Sequence, residues 1–246
     1  MKNLLLTLRY DGTAYCGWQM QKNGVSVQQT VTETLETIIG KLEKPVNGCS
    51  RTDSGVHANK YCCNFLTEST INPKNIVLAL NTRLPKDISA LSCEEVSLDF
   101  NARFSCVSKS YIYKFYVSSV RDPFLDQYSF RLSEHPNIDL LNKWCSEFVG
   151  KHDFKAFCSS GSIVKDTVRV IYSCGFVRRG NEYIFEIKGD GFLYNMVRII
   201  VGTLLDKLFG KFESVSIKEI IESKSRENAG KTAPPYALYL NDIFYV

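Results

Sequence analysis

The order of apolar and polar residues along the chain predicts strands mixed with helices. Residues 3–10 form an apolar run that stops at the turn dipeptide Asp11-Gly12, which predicts a first strand. Ser26-Val27-Gln28-Gln29 has capping-box spacing, and Val27, Val31, Leu35, Ile38, Ile39 and Leu42 after it line one helical face. Residues 45–58 are polar and glycine-punctuated, with no apolar period. A strand is expected at 60–67, a helix from Pro73 through Leu84, and strands at 88–98 and 109–118. The last of these alternates Tyr111, Tyr113, Phe115 and Val117. Leu140, Leu141, Trp144, Cys145, Phe148 and Val149 predict a two-sided apolar helix stopped at Gly150. Strands at 167–178 and 182–188 joined by a hairpin at Arg178-Arg179-Gly180-Asn181, helices near 193–209 and 216–224, and a strand near 237–245 follow. Strands joined by hairpins and mixed with helices suggest an α+β fold with a largely antiparallel sheet. Both Asp11-Gly12 and Asp190-Gly191 sit in a D-G-x-x-Y string after a strand, an echo that two related half-domains would leave.

Composition narrows the class without naming a function. With 246 residues the chain buries about 73% of its unfolded surface, enough for a core without disulfide or metal staples. Hydrophobic residues at 44% and charged residues at 23% fit a globular protein and exclude disorder. The net charge of +4 excludes a histone-like polycation. The apolar run at the N-terminus is too short for a signal-peptide core, and the segment from Met196 to Leu205 is broken by Arg198 and Gly202. The chain therefore reads as cytoplasmic, with no membrane partner. Nine cysteines with no C-x-x-C spacing read as scattered reduced thiols, with no metal site expected. Gly230-Lys231-Thr232 resembles the end of a P-loop, but Ser225 stands where the earlier glycine is required.

Chemistry concentrates in Gly48-Cys49-Ser50-Arg51-Thr52-Asp53-Ser54-Gly55-Val56-His57-Ala58. Glycines permit close backbone approach, while Arg51 and the neighbouring hydroxyls can hold the Asp53 carboxylate ionised as a nucleophile or base. The same residues would equally serve a polar turn in which Arg51 and Asp53 pair at the surface. Arg198 lies in an otherwise apolar helix, where an unpaired charge is costly. It either pairs with a carboxylate or reaches solvent along its stem. His57 and His152 read as structural histidines, and Tyr10 and Asp11 as residues serving either the turn or a binding cleft, with no chemistry assigned.

As an exact string, Arg51-Thr52-Asp53-Ser54-Gly55-Val56-His57-Ala58 resembles the signature of the tRNA pseudouridine synthase A family. The resemblance continues through Tyr10-Asp11-Gly12-Thr13 with Gly17-Trp18-Gln19, Phe100-Asn101-Ala102-Arg103-Phe104-Ser105, and Gly150-x-His152-Asp153-Phe154-x-x-Phe157. It closes with Gly191-Phe192-Leu193, Met196-Val197-Arg198, Gly202-Thr203-Leu204, and Thr232-Ala233-Pro234-Pro235 before Leu238-Tyr239-Leu240. Ala237 replaces the usual glycine and Lys109 the commoner arginine, which puts only local geometry and phosphate contacts in doubt.

The resemblance implies the pseudouridine synthase fold, with two related lobes, 1–105 carrying the Asp53 loop and 106–246 completing the cleft. They would share a mostly antiparallel central sheet flanked by helices. It implies an isomerase that converts uridine to pseudouridine at positions 38–40 of the tRNA anticodon stem-loop, with base flipping and no cofactor. Asp53 takes the catalytic role, as nucleophile or as base. Tyr111 stacks on the target base, Arg51 helps hold the flipped nucleotide, and Arg198 pairs with Asp53. Arg103 and Lys109, in an acid-free stretch from 101 to 121, and Arg178 and Arg179 are expected at tRNA phosphates. A homodimer is expected. Two rivals remain, an RNA chaperone on the same fold and an aspartate glycosidase, the latter wanting a second carboxylate that the sequence does not offer near Asp53.

Overall fold

The computed structural model describes residues 1–161, 164–212 and 214–245. In chain order the first elements are β1 (Lys2–Tyr10), α1 (Val27–Ile39), β2 (Asn47–Gly48), β3 (His57–Thr67), α2 (Pro73–Arg83), β4 (Ile88–Val96) and β5 (Cys106–Val117). They are followed by β6 (Phe130–Leu132), α3 (Ile138–Ser146), β7 (Gly150–Asp153), β8 (Val168–Arg179), β9 (Glu182–Gly189), α4 (Met196–Leu208), α5 (Ile217–Ser223) and β10 (Leu238–Tyr245). The architecture is α+β, as the mixed pattern predicts. The chain divides into two units, Met1–Val107 with Tyr239–Val246, and Ser108–Leu238.

In the first unit β1 is the buried spine, with Leu4, Leu6 and Leu8 almost wholly inaccessible. It pairs antiparallel with both β3 and β4, and β2 pairs antiparallel with β3. The terminal strand β10 returns to β3 in parallel, with Tyr239 opposite His57. No local pattern distinguishes that parallel return from another hairpin. Helix α1 starts where expected, its Ser26 side chain accepting the Gln29 N–H. It stops at Gly40, where φ of +85° breaks the helix, so Leu42 is buried from the following loop rather than from a fourth turn. Asn72 caps α2 through the Lys74 N–H, with Pro73 in the first turn.

In the second unit β9 lies between β5 and β8, antiparallel to both, and β7 adds antiparallel to β8. The two-residue loop Gly180-Asn181 closes the expected hairpin, with Arg179 opposite Glu182. Short β6 runs parallel to β5 and carries too few residues to show a period. The alternation read along β5 is incomplete, since Ile112 and Tyr116 are buried along with Tyr113 and Phe115. Helix α3 ends at Ser146, four residues before Gly150. Turn bonds from Phe148 to Cys145 and from Val149 to Ser146 then carry Phe148 into the core.

All nine cysteines are free thiols. Among the described residues, no three His, Cys, Asp or Glu side chains are grouped to hold a metal ion. Among the same residues, no helix is long and apolar enough to cross a membrane.

Candidate active site

The loop from β2 to β3 is held by backbone and aromatic groups. The Cys49 N–H donates to the Cys62 carbonyl at 2.9 Å, and the Trp18 N–H to the Thr52 carbonyl at 3.2 Å. Val56 donates to the Asp53 carbonyl at 3.1 Å, closing a turn in which Gly55 takes φ of +77°. The Ser54 hydroxyl donates to the Tyr15 carbonyl at 3.1 Å, and the Gly55 N–H reaches the same oxygen at 3.4 Å. Tyr61 donates its hydroxyl to the Ser50 carbonyl, and the Tyr10 and Thr52 hydroxyls are hydrogen-bonded at 2.8 Å. Asp53 itself is half-buried, while Arg51 and Ser54 are exposed.

Two glycines outside the loop let the chain come this close. A Cβ on Gly12 would stand 2.0 Å from the Val56 carbonyl oxygen. One on Gly17, which also has φ of +99°, would stand 2.4 Å from that of Thr52. The Tyr10-Asp11-Gly12-Thr13 and Gly17-Trp18-Gln19 strings therefore form a cradle for the Asp53 loop. His57 is 1% exposed, with Nδ1 3.1 Å from the Gly12 nitrogen and 3.0 Å from an Asp11 carboxylate oxygen. Its ring stacks on Tyr239 at 4.7 Å, which makes it part of the frame beneath the loop.

Of the other predicted site residues, Arg103 belongs to the first unit, where its guanidinium lies 5.5 Å from the ring of the exposed Phe104. Tyr111, Lys109, Arg178, Arg179 and Arg198 belong to the second. Tyr111 is 6% exposed, sits opposite Ile187 on β9, and meets the Phe192 ring edge-on at 5.2 Å. Lys109 stands opposite Gly189. Arg178 and Arg179 are exposed at the hairpin, Arg178 bonded to the Gly180 carbonyl and lying over the Tyr183 ring.

Arg198 is half-buried on α4 and neither loose nor fully solvated. Its Nε donates to the Ala233 carbonyl at 2.8 Å and its Nη1 to Asn195 Oδ1 at 2.8 Å. The Ala233 N–H returns a bond to the Arg198 carbonyl at 3.0 Å, so backbone and side chain are clamped by one residue. That clamp involves backbone atoms distant in sequence, and no motif signals it.

Burial pushes the thiols of Cys62 and Cys63 up, and that of Cys93 up to about 12. Cys174 is raised for the same reason. A thiol must ionise to attack, so these four are not nucleophiles near neutral pH.

A family model described as tRNA pseudouridine synthase matches residues 7–105 and 144–246. The chain belongs to that family, isomerases that form pseudouridine in tRNA. Relatives named tRNA pseudouridine synthase A align over their whole length. The one from Clostridium acetobutylicum is 46% identical over 245 residues, covering 100% of both chains. Those from Caldicellulosiruptor saccharolyticus and Clostridium kluyveri are 44% and 43% identical, again covering 100% of each chain. The matched spans include Asp53, Arg51, Arg103, Arg178, Arg179 and Arg198, whereas Lys109 and Tyr111 fall in the intervening 106–143.

Proposed function

We propose that this enzyme isomerises uridines at positions 38–40 of the tRNA anticodon stem-loop, with Asp53 as the reacting carboxylate. The reaction breaks the N1–C1′ bond, turns the uracil, forms the C5–C1′ bond and releases the C5 proton, while N1 takes up a proton from solvent. No electrons enter or leave, so no redox cofactor is required. Asp53 either attacks covalently or takes a sugar proton to give a glycal. The observation that supports it is the pinning of the half-buried Asp53 turn between Tyr15 and Trp18, which preorganises the loop that carries the carboxylate.

A stacked uridine must leave its helix or loop to meet that carboxylate, at a cost of a few kcal/mol. Tyr111 is assigned to stack on the extruded base, worth about 1–3 kcal/mol. Because it is 6% exposed and edge-on to Phe192, the base must displace part of its cover. Arg51, exposed two residues before Asp53, is assigned to the flipped nucleotide. The pairing of Arg198 with Asp53 belongs to the same reading. Arg103, Lys109, Arg178 and Arg179 are assigned to phosphates, and their neutralisation should lower the salt dependence of binding by about one unit of slope per contact. A cytoplasmic homodimer completes the proposal.

Tritium release from tRNA labelled at uridine C5 tests the reaction. Wild type should release tritium and Asp53→Asn should not, while both bind tRNA. Binding without release by the wild type would favour the chaperone alternative, and free uracil would favour a glycosidase. Sedimentation at micromolar concentration tests the dimer, which a single monomeric species would refute.

A further inference from the structure

Three buried rings lie under the Asp53 loop that the isomerisation does not itself use. Tyr10 comes from β1, Trp18 from the connection after it, and Tyr61 from β3. Trp18 and Tyr61 stack with centroids 3.9 Å apart, and Tyr10 lies 5.6 Å from Tyr61 and 6.5 Å from Trp18. Gly48 makes the fit possible, because a Cβ there would stand 2.2 Å from the Tyr61 hydroxyl and 2.4 Å from Trp18 Nε1.

Each ring reaches the loop at a defined point. Tyr61 holds the Ser50 carbonyl, Tyr10 holds the Thr52 hydroxyl, and Trp18 holds the Thr52 carbonyl through its backbone N–H. These contacts bracket Arg51 and end one residue before Asp53. Buried phenols normally find a polar partner, and packing alone would be content with any nearby carbonyl. Here both hydroxyls converge on two loop positions two residues apart. Burial raises the Tyr61 phenol far above its ordinary value, so it stays a donor at any working pH.

We infer that Tyr10 and Tyr61 are positioning residues for the reaction, setting the height and direction of the Asp53 carboxylate through Thr52 and Ser50 without touching substrate. The inference rests on Asp53 being the reacting group. A displacement of about 1 Å at a reacting atom can cost ~100-fold in rate, so a brace of this kind should be visible in the chemical step.

Tyr10→Phe and Tyr61→Phe keep the rings and remove only the hydroxyls. Single-turnover tritium release should slow by ~10- to 100-fold, while the Kd for tRNA stays within about twofold. Tyr245→Phe is the control for simple loss of a tyrosine hydrogen bond. Its hydroxyl donates to the Ala102 carbonyl at 2.9 Å rather than to Ser50 or Thr52, so it should lower the melting temperature but not the rate. Thr52→Val removes the loop side of the Tyr10 bond without enlarging the residue, and the Tyr10→Phe/Thr52→Val double variant should be no slower than either single. If the phenylalanine variants do not fold, the Thr52→Val rate decides alone. Wild-type rates in these variants, with Asp53→Asn inactive, would overturn the positioning role and leave the Asp53 reading intact. An active Asp53→Asn would overturn both.

Discussion

Helices α1 and α4 each have thirteen residues, yet they are held in opposite ways. α1 buries Val27, Val31, Thr32 and Leu35 along one stripe and is capped by its own Ser26. α4 buries eleven residues on all sides and starts from Asn195 in the left-handed region, with no side-chain cap. It also carries Arg198, Asp206 and Lys207, charges that an isolated buried helix would not tolerate. The segment 229–233 answers that problem for Arg198 and Asp206. Gly230 donates to the Thr203 hydroxyl, Lys231 to an Asp206 carboxylate oxygen, and Ala233 to the Arg198 carbonyl. Arg226 in turn holds the Ala229 and Gly230 carbonyls and the Thr232 hydroxyl. A helix at the surface is stabilised by its own sequence, whereas one at the centre is stabilised by what is strapped to it.

The sharpest test of that contrast is Gly202→Ala. In an exposed helix it would add about 1 kcal/mol of stability. Here the new Cβ would stand 1.7 Å from the Lys231 carbonyl oxygen, so the strap must move. A net loss of about 2–3 kcal/mol is expected by thermal unfolding. Turnover should fall with it, because Ala233 and Arg198 shift together. A stabilised Gly202→Ala protein would show that α4 obeys the same rules as α1.

Next in size is Lys207→Met. The buried ammonium donates to the Phe212 carbonyl at 2.8 Å and the Val215 carbonyl at 2.7 Å, over the Trp144 ring. Losing these charge-assisted bonds should cost about 2 kcal/mol in denaturant unfolding. A cost near zero would mean that water replaces the ammonium there. On α1, Ser26→Ala should cost only about 1 kcal/mol, the value of a single N-cap, with activity unchanged. Smallest is Glu33→Ala, which removes an exposed contact to Gln29 and should stay within about 0.5 kcal/mol. A larger loss from Glu33 than from Lys207 would invert the comparison.

Much of the fold was legible because local patterns carry it. The Ser26 cap, Pro73 at the start of α2, and Gly180-Asn181 between β8 and β9 act within a few residues of where they stand. What escaped is nonlocal or short. β6 and β7 have three and four residues, too few for a period, and the parallel return of β10 to β3 follows no turn signal. The overlong readings of α1 and α3 share one cause. Leu42, Phe148 and their neighbours are apolar at helical spacing, but the chain reaches their buried positions through turns after the helix has ended.

The candidate site divides along the same line. The Asp53 loop stood out as a dense polar string, and its resemblance to a family motif supplied the chemistry. Of the residues that hold it, Tyr10 read as serving a turn or cleft, Trp18 as part of a family string, and Tyr61 only as one position of a strand, since a buried tyrosine in a strand carries no sign of where its hydroxyl points.

By itself the sequence determined the α+β class, most element positions, and the polar loop around Asp53, because periodicity, caps and turn residues act over neighbouring positions. Tertiary structure alone decided why Gly12, Gly17 and Gly202 must be glycine, which carbonyls hold Arg198 and Lys207, and where β10 pairs. Those outcomes depend on atoms brought within hydrogen-bond or van der Waals reach from distant parts of the chain, and no window of residues contains both partners.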